Sequence, residues 1–405
     1  MTRSRRQPHD SQATRLWPLL AVNFFMADMQ SGIGPFLGVF LIERGWTSGL
    51  IGTALSIGNV AGMLITTPVG GFIDASHHKR VWVIVPGVAV VLASSVILLW
   101  QNFWAVAASQ VATSIASAAI VPAVTGITLG MVGQRGFNRQ NGRNQAFNHA
   151  GNMVGAAASG FLGWKFGYFW VFALAALFGA ITVACVLLIR PSSINDHAAR
   201  GNKEDDSKSQ PGAMTVLLRH KALLVLGLAL ALFHLGNAAI IPILGMSAVS
   251  DGKANGPGFV ATTVVIAQGV MVIASLIAMH VAEKRNYWLI LLVSFLVLPL
   301  RGIIAFFLSG WSGVVPVEIL DGIGTGLQSV AVPGMVARSL YGTGRVNLAQ
   351  GAVITVQGIG AAVSPALGGW VAHWIGFAPT FLVLGGLGLL AAAAWIVLGA
   401  AVKEY

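Results

Sequence analysis

The residues of this chain that could do chemistry are a few ionisable side chains inside long apolar segments. Five are the strongest candidates: Asp28, His234, Arg301, Glu318 and Asp321. An ionisable side chain at membrane depth is costly, so each is first treated as a functional candidate. These residue types predict proton transfer or recognition of a charged solute.

Asp28 lies in the first apolar segment, residues 16–41. At about 1.5 Å per residue it is roughly 18 Å from the start of that segment. This depth is near the middle of a hydrocarbon layer about 30 Å thick. Asp28 is therefore predicted to couple protons or to bind substrate, with Gln30 as a nearby candidate. The alternative is a hydrogen-bonded structural acid.

His234 and Asn237 lie one helical turn apart in the apolar segment 222–248, so they share a helix face. Histidine is a common group for proton transfer near neutral pH. His234 also falls close to the position in the second half of the chain that corresponds to Asp28. We predict a site role for this pair, and the alternative is a buried, hydrogen-bonded histidine.

Glu318 and Asp321 are three residues apart in one segment, and Arg301 lies at a similar depth in the preceding segment. This spacing predicts an arginine–carboxylate pair that holds the two helices together. One arginine cannot fully neutralise two acids, which leaves one acid for another role.

Motifs for other chemistries are missing from the sequence. There is no Gly-x-x-x-x-Gly-Lys-Ser/Thr phosphate loop, no nucleophile elbow and no His-Glu-x-x-His pair. Cys185 is the one cysteine, which excludes a disulfide within the chain. We expect no enzyme activity, no cofactor and no resident metal, although Asp28 and His234 leave divalent metal as an alternative cargo.

The composition indicates the setting of these residues. The chain is 56% hydrophobic and 9% charged, with a mean hydropathy of +0.77. A soluble domain carries about 25% charged residues, so this chain is predicted to be an all-α membrane protein. Twelve apolar segments can be drawn, at 16–41, 48–73, 81–100, 103–132, 146–166, 168–189, 222–248, 258–282, 287–308, 312–338, 348–374 and 378–402.

The basic residues predict how the segments cross the membrane. Nearly all of the 24 Lys and Arg residues fall in alternate connections, on one side of the predicted bundle. Basic connections stay in the cytoplasm, so both termini are predicted to be cytoplasmic and the protein to lie in the inner (plasma) membrane. The net charge of +11 then reflects topology, and no nucleic-acid partner is expected.

The domain organisation follows from the long polar stretch in the middle of the chain. We predict a basic tail at 1–15, a six-helix bundle at 16–190, a linker at 191–221 and a second six-helix bundle at 222–402. The halves are similar, since Gly34-Pro35 corresponds to Ile241-Pro242 and Pro122 to Pro333. Such repeats are typical of transporters with a central site between two halves.

Twelve spans, a long linker and two similar halves resemble the major facilitator superfamily. The connection after the second segment also resembles a signature loop of that family. The matching residues are Gly70, Asp74, Lys79 and Arg80, with departures at Ala75 and His77. The resemblance implies a conformational latch, in which the acid pairs with basic residues and a helix dipole. The alternative is that Lys79 and Arg80 only fix the topology.

The eleventh segment resembles a helix-packing motif of the drug–proton antiporters in that family. The residues that carry the resemblance are Gly360, Pro365, Gly368 and Gly369. In the family fold the first, fourth, seventh and tenth helices line the cavity, which favours Asp321, the deeper acid, as the one that faces it.

The resemblance implies proton-coupled export of a small amphipathic or cationic solute by alternating access. The partners expected are the solute, protons and the lipid bilayer, and the protein is expected to be a monomer. The alternatives are an exporter of a divalent metal or metal chelate, and a non-transporting membrane receptor or scaffold.

Overall fold

The computed structural model describes residues 16–31, 33–195, 220–282, 287–308, 310–339 and 346–399. These residues form α-helices joined by short connections and one 3₁₀ turn at Pro191–Ser193. The helices of the first half are α1 (Trp17–Ser31), α2 (Ile33–Ile42), α3 (Ser48–Ala75), α4 (Val81–Leu99), α5 (Phe103–Phe166) and α6 (Tyr168–Leu188). Those of the second half are α7 (Lys221–Asn237), α8 (Ile240–Ser250), α9 (Gly256–Ala282), α10 (Tyr287–Phe307), α11 (Trp311–Ser339), α12 (Val346–Ile375) and α13 (Phe377–Leu398).

Ten stretches in the described residues are long and apolar enough to cross a membrane. One of them combines α1 with α2, and another combines α7 with α8. The two further spans predicted from the sequence correspond to the second part of α5 and to α11. Both are helical, but they are interrupted by polar and charged residues such as Asn148, Glu318 and Asp321.

Two prolines occupy equivalent places in the first spans of the two halves. Pro242 follows a two-residue turn at Ala238–Ala239 and is the third residue of α8, and Pro35 lies near the start of α2. A proline in the first helical turn costs little because the backbone N–H there lacks an intrahelical partner anyway. The matching places of the two prolines agree with the pseudo-symmetry predicted from the sequence.

Helix α5 contains two predicted spans in one helical stretch. Gly133 divides them, with φ 64° and ψ 176°, a backbone conformation that is essentially restricted to glycine. The sequence predicted a polar connection between residues 132 and 146. In the structure most of that connection is helical, and Asn144 donates from Nδ2 to Oγ1 of Thr128 at 2.9 Å across the bend.

The main contacts between the two halves are four helix pairs: α3 with α12, α5 with α9, α2 with α8, and α2 with α9. We call the end of the bundle where α6 ends and α7 begins the linker end, and the opposite end, where α2 ends and α3 begins, the far end. Near the far end, Ser48 donates from Oγ to the carbonyl of Gly369 at 3.0 Å. Trp370 likewise donates from Nε1 to Oγ1 of Thr53 at 2.9 Å. In this conformation the halves are therefore joined near the far end.

Candidate functional site

Arg301 on α10 is the centre of a buried polar cluster in the second half. Its Nη1 donates to Oδ1 of Asp321 at 2.6 Å and to Oδ1 of Asn237 at 2.7 Å. Nη2 lies 3.4 Å from Oε1 of Glu318, and Nε donates to the carbonyl of Val317 at 3.2 Å. Helices α7, α10 and α11 thus meet at one guanidinium group. We call Arg301, Asn237, Glu318 and Asp321 the arginine cluster.

The two acids of the arginine cluster have different surroundings. The side chain of Glu318 is fully buried, and its Oε2 has no hydrogen-bond partner in the described structure. Asp321 keeps 11% of its side chain exposed and also accepts a hydrogen bond from Nδ2 of Asn237 at 3.1 Å. One guanidinium serves both carboxyl groups, and Asp321 receives the shorter contact.

His234 lies one helical turn from Asn237 but has its own partners. Its Nε2 is 3.2 Å from Oε1 of Gln328 on α11, and Gln328 donates from Nε2 to Oγ of Ser294 on α10 at 3.3 Å. The ring of Phe233 packs edge-on against the imidazole. His234 therefore extends the polar contacts between α7 and α11 toward the linker end.

Asp28 occupies a separate buried site in the first half. Its side chain is almost fully buried, and Oδ2 has no hydrogen-bond partner among the described residues. Gly155 on α5 provides the space, since a Cβ added there would lie 2.5 Å from both Cβ and Cγ of Asp28. One turn earlier, Gly151 packs against the carbonyl of Phe24. Two glycines of α5 thus bring this helix directly against the acid.

A hydrogen bond joins the halves close to this region. Nδ1 of His149 on α5 lies 2.9 Å from Oε1 of Gln268 on α9. Asn148, next to it, donates from Nδ2 to the carbonyl of Asn23 on α1 at 3.3 Å. The pairing of His149 with Gln268 had no signal in the sequence.

The predicted latch residues lie at helix ends within the first half. Lys79 is buried and donates from Nζ to the carbonyl of Ile73 at 2.6 Å, near the end of α3. Arg80 donates to the carbonyls of Val186 and Leu187 at 3.1 and 3.0 Å, at the end of α6. Cations there complement the negative ends of the helix dipoles. Gly70 lies in α3, whereas the side chains of Asp74 and Gln30 lie outside the described structure.

The predicted packing motif lies where α12 meets two other helices. Gly360 packs against the carbonyl of Ala231 on α7, and a Cβ added at Gly368 would lie 2.7 Å from Cβ of Ala239. Gly369 packs against the carbonyl of Ser48 on α3. Pro365 lies one turn before Gly369, on the same part of α12. This motif therefore contacts both halves of the molecule.

A groove of about 460 Å³ lies between α5 and α9 at the far end. Its lining is mainly apolar and includes Phe161, Trp164 and Trp311. None of the predicted site residues lines it, so it is separate from the arginine cluster and from Asp28.

The structure brings Arg301, Asn237, Glu318 and Asp321 together, with His234 beside them, and it places Asp28 in the other half. Within the described residues no group of three His, Cys, Asp or Glu side chains is suited to hold a metal ion. Two helical halves with a buried charged site in each define a polytopic membrane protein of the transporter class.

Comparison with known proteins identifies the family. The sequence matches the Major Facilitator Superfamily (MFS) over residues 19–347, and the chain belongs to this superfamily. MFS-type transporters from two strains of Mycobacterium tuberculosis are each 36% identical over 372 residues, covering 90% of this chain and 88% of theirs.

Solved structures show the same fold. The nucleoside transporter NupG superposes with a TM-score of 0.79 at 13% identity, covering 95% of this chain and 99% of its own. A bacterial homologue of the human lysosomal transporter Spinster, inward-facing and unoccupied, gives a TM-score of 0.73 at 13% identity, covering 96% and 97%. The all-α fold with two six-helix halves and the family resemblance are confirmed. The protein is a multi-pass membrane transporter with a small-molecule substrate.

Proposed function

We propose that this transporter is a proton-coupled exporter of a small amphipathic or cationic solute, working by alternating access. The observation that carries the proposal is Asp28, a buried acid in the first span with one carboxyl oxygen that has no partner in the described structure. An unpaired buried charge costs several kcal/mol, so a carboxyl group at this place is stable when it is protonated or paired with a cation.

These two states of Asp28 correspond to two steps of a transport cycle. When the cavity is open to the cytoplasm, Asp28 loses its proton and its carboxylate binds the solute's positive charge. When the cavity is open to the outside, a proton binds the carboxylate and the solute leaves. A solute and a proton that compete for one carboxyl group are necessarily coupled, because binding of either one lowers the affinity of that group for the other.

The arginine cluster supplies the second half of the proposed site. The partial exposure of Asp321 supports this residue as the acid that faces the cavity, with Asn237 as its hydrogen-bonding neighbour. His234, which lies on α7 one turn from Asn237, is proposed to face the same cavity. Gln30 is kept as a candidate beside Asp28.

The distribution of basic residues supports the predicted orientation of the bundle in the membrane. The linker end carries the basic latch residues Lys79 and Arg80, and basic connections favour the cytoplasmic side. We place that end and both termini in the cytoplasm, and the protein in the inner membrane as a monomer. The joined far end then faces outward.

The direction of transport rests on the packing motif of α12, which resembles that of drug–proton antiporters. NupG shares the fold at 13% identity, so its substrate is not assigned to this chain. The metal alternative has no supporting cluster in the described residues, and Asp28 and His234 lie in different halves. The latch role of Gly70, Asp74, Lys79 and Arg80 stays part of the proposal.

The test uses the full chain in liposomes with an imposed pH gradient and a trapped pH indicator. Solutes are added one class at a time: permanently charged organic cations, neutral amphipathic compounds, organic acids and divalent metals. We expect organic cations to discharge the gradient and Asp28→Asn to reduce this flux to the background of empty liposomes. Asp251→Asn is the matched control, because Asp251 is an exposed acid paired with Lys253.

Two results would overturn the proposal. If no class discharges the gradient, proton coupling is wrong. If Asp28→Asn transports like the Asp251→Asn control, Asp28 is not the coupling residue.

A further inference from the structure

We propose that one face of α5 binds an anionic phospholipid, whose phosphate contacts Arg135, Arg139 and Arg143 and whose acyl chain lies along the apolar residues that follow. We call these three residues the arginine stripe. The inference concerns the outer surface of the bundle, and it depends neither on the transported solute nor on proton coupling.

The arginine stripe lies on one side of a helix. Its residues are four apart in the helical part of α5 that follows the bend at Gly133, and all three are exposed. Residues at this spacing are neighbours on the helix surface, so the stripe covers about 12 Å of helix length. No ion pair within the described structure involves any of these arginines. Three positive charges are therefore left without an acid among the residues that the structure describes.

The opposite side of this helix is fixed by buried amides. Gln140 donates from Nε2 to Oδ1 of Asn144 at 2.9 Å, and Asn144 donates in turn to Oγ1 of Thr128. Gln140 and Asn144 are each 3% exposed. These contacts determine the rotation of the helix about its axis, and they direct the arginine stripe away from the bundle.

The same face continues toward the far end as an apolar surface. Its exposed residues follow the stripe at intervals of three or four: Phe147, Ala150, Val154, Ala157 and Phe161. This is the spacing of one helix face. The other side of α5 carries Asn148, Asn152 and Ser159. Polar side chains of a membrane-spanning helix face the protein interior, so the apolar face is the one that contacts lipid.

The length of the apolar part places the arginine stripe at the level of the headgroups. From Phe147 to Phe166, where α5 ends, the helix rises about 29 Å, close to the thickness of a hydrocarbon layer of about 30 Å. Arg143 lies one turn before Phe147, and the other two arginines lie one and two turns further out. The stripe therefore begins where the acyl chains end.

The combination of the two parts favours a phospholipid over a soluble anion. A guanidinium group pairs with phosphate through two parallel hydrogen bonds, and basic side chains beside a membrane span attract anionic headgroups. A soluble anion would use the arginines alone. A phospholipid uses the whole face, with its phosphate on the stripe and a chain against Phe147 and Val154.

The test measures which lipid lies next to this face. The full chain, in a Cys185→Ser background, carries a fluorophore at Ala150→Cys and is placed in phosphatidylcholine vesicles. A small fraction of the lipid is either phosphatidylglycerol or phosphatidylcholine with a spin-labelled acyl chain that quenches the fluorophore. We expect phosphatidylglycerol to associate with the labelled face about fivefold more strongly than phosphatidylcholine, the ratio that corresponds to one arginine–headgroup contact.

Two triple variants identify the residues responsible. Replacing all three arginines of the stripe by glutamine is expected to bring the ratio close to one. The control removes the same charge from exposed positions at the linker end on other segments, and it should keep the ratio. Its substitutions are Arg190→Gln, Lys221→Gln and Arg338→Gln.

Each contrary result overturns the inference. Equal association of the two lipids with the labelled chain, before any arginine is replaced, would show that this face has no anionic-lipid site. A ratio that falls equally in the two triple variants would mean that the general charge of the linker end attracts the lipid. If soluble glycerol phosphate removes the ratio in the labelled chain, the arginines bind a soluble anion instead.

Discussion

The buried acid Asp28 depends on a neighbour without a side chain. Gly155 lets α5 approach so closely that the carboxyl group of Asp28 lies against the α5 backbone, with one oxygen unpaired in the described structure. In the second half the acids instead lie beside an arginine on another helix. The acid of the first half is therefore buried with one oxygen unpaired in the described structure, whereas the two acids of the second half share one arginine.

Gly155→Ala tests this arrangement at the residue scale. The new methyl group would overlap Asp28, so we expect the free energy of unfolding to fall by about 1–3 kcal/mol and the proton-coupled flux to fall with it. Thermal unfolding in detergent and the liposome assay measure the two effects. Gly269→Ala is the control, because nothing lies within 4 Å of a Cβ added there. Equal behaviour of the two variants would show that the close approach has no role.

Sequence reasoning could find the charged residues of the site but not all of their partners. Asp28, Arg301, Glu318 and Asp321 are conspicuous because charges are rare and costly in apolar segments. Their spacing also predicted the arginine–carboxylate contact on α11. The contact of Asn237 with Arg301 depends on the rotation of α7 about its axis, which apolar composition does not fix.

At the scale of elements, one glycine determines the path of α5. The bend at Gly133 reverses the chain at the linker end, and a Cβ added there meets nothing within 4 Å. The cost of replacing Gly133 would therefore be backbone strain alone. The residues that follow stay helical, although Arg135, Arg139 and Arg143 suggested a loop, because a helix at a membrane surface tolerates charges that a spanning helix does not.

Gly133→Ala is expected to lower the free energy of unfolding by about 1–3 kcal/mol, the cost of holding a residue with a Cβ in this conformation. Gly142→Ala, in the helical part of α5 and also with open space around it, should be neutral or stabilising by up to about 1 kcal/mol. Thermal unfolding of the two purified variants gives the comparison. A Gly133→Ala protein as stable as Gly142→Ala would mean that the bend does not require glycine.

At the scale of the whole molecule, the two halves are in contact at the far end and must separate there during transport. The sequence predicted the two halves from Pro35, Pro242 and the polar linker, and the fold shared with known transporters confirms two six-helix halves. It could not predict which ends touch, since that depends on the conformation. In the structure α2 and α8 pack together, and a Cβ added at Gly245 lies 3.1 Å from Cγ1 of Val39.

This contact allows the central claim, solute and proton exchange by alternating access, to be tested directly. In a Cys185→Ser background, Val39→Cys with Gly245→Cys would place two thiols across the halves, near the Cβ–Cβ distance of about 3.5–4.5 Å that a disulfide needs. Val91→Cys with Gly179→Cys is the control pair, since these residues are in contact within the first half.

The measurement is solute-driven proton flux in liposomes before oxidation, after oxidation with iodine and after reduction. The account predicts that oxidation stops the flux of the Val39–Gly245 pair and that reduction restores it, while the Val91–Gly179 pair transports throughout. Undiminished flux through a fully cross-linked Val39–Gly245 protein would contradict alternating access.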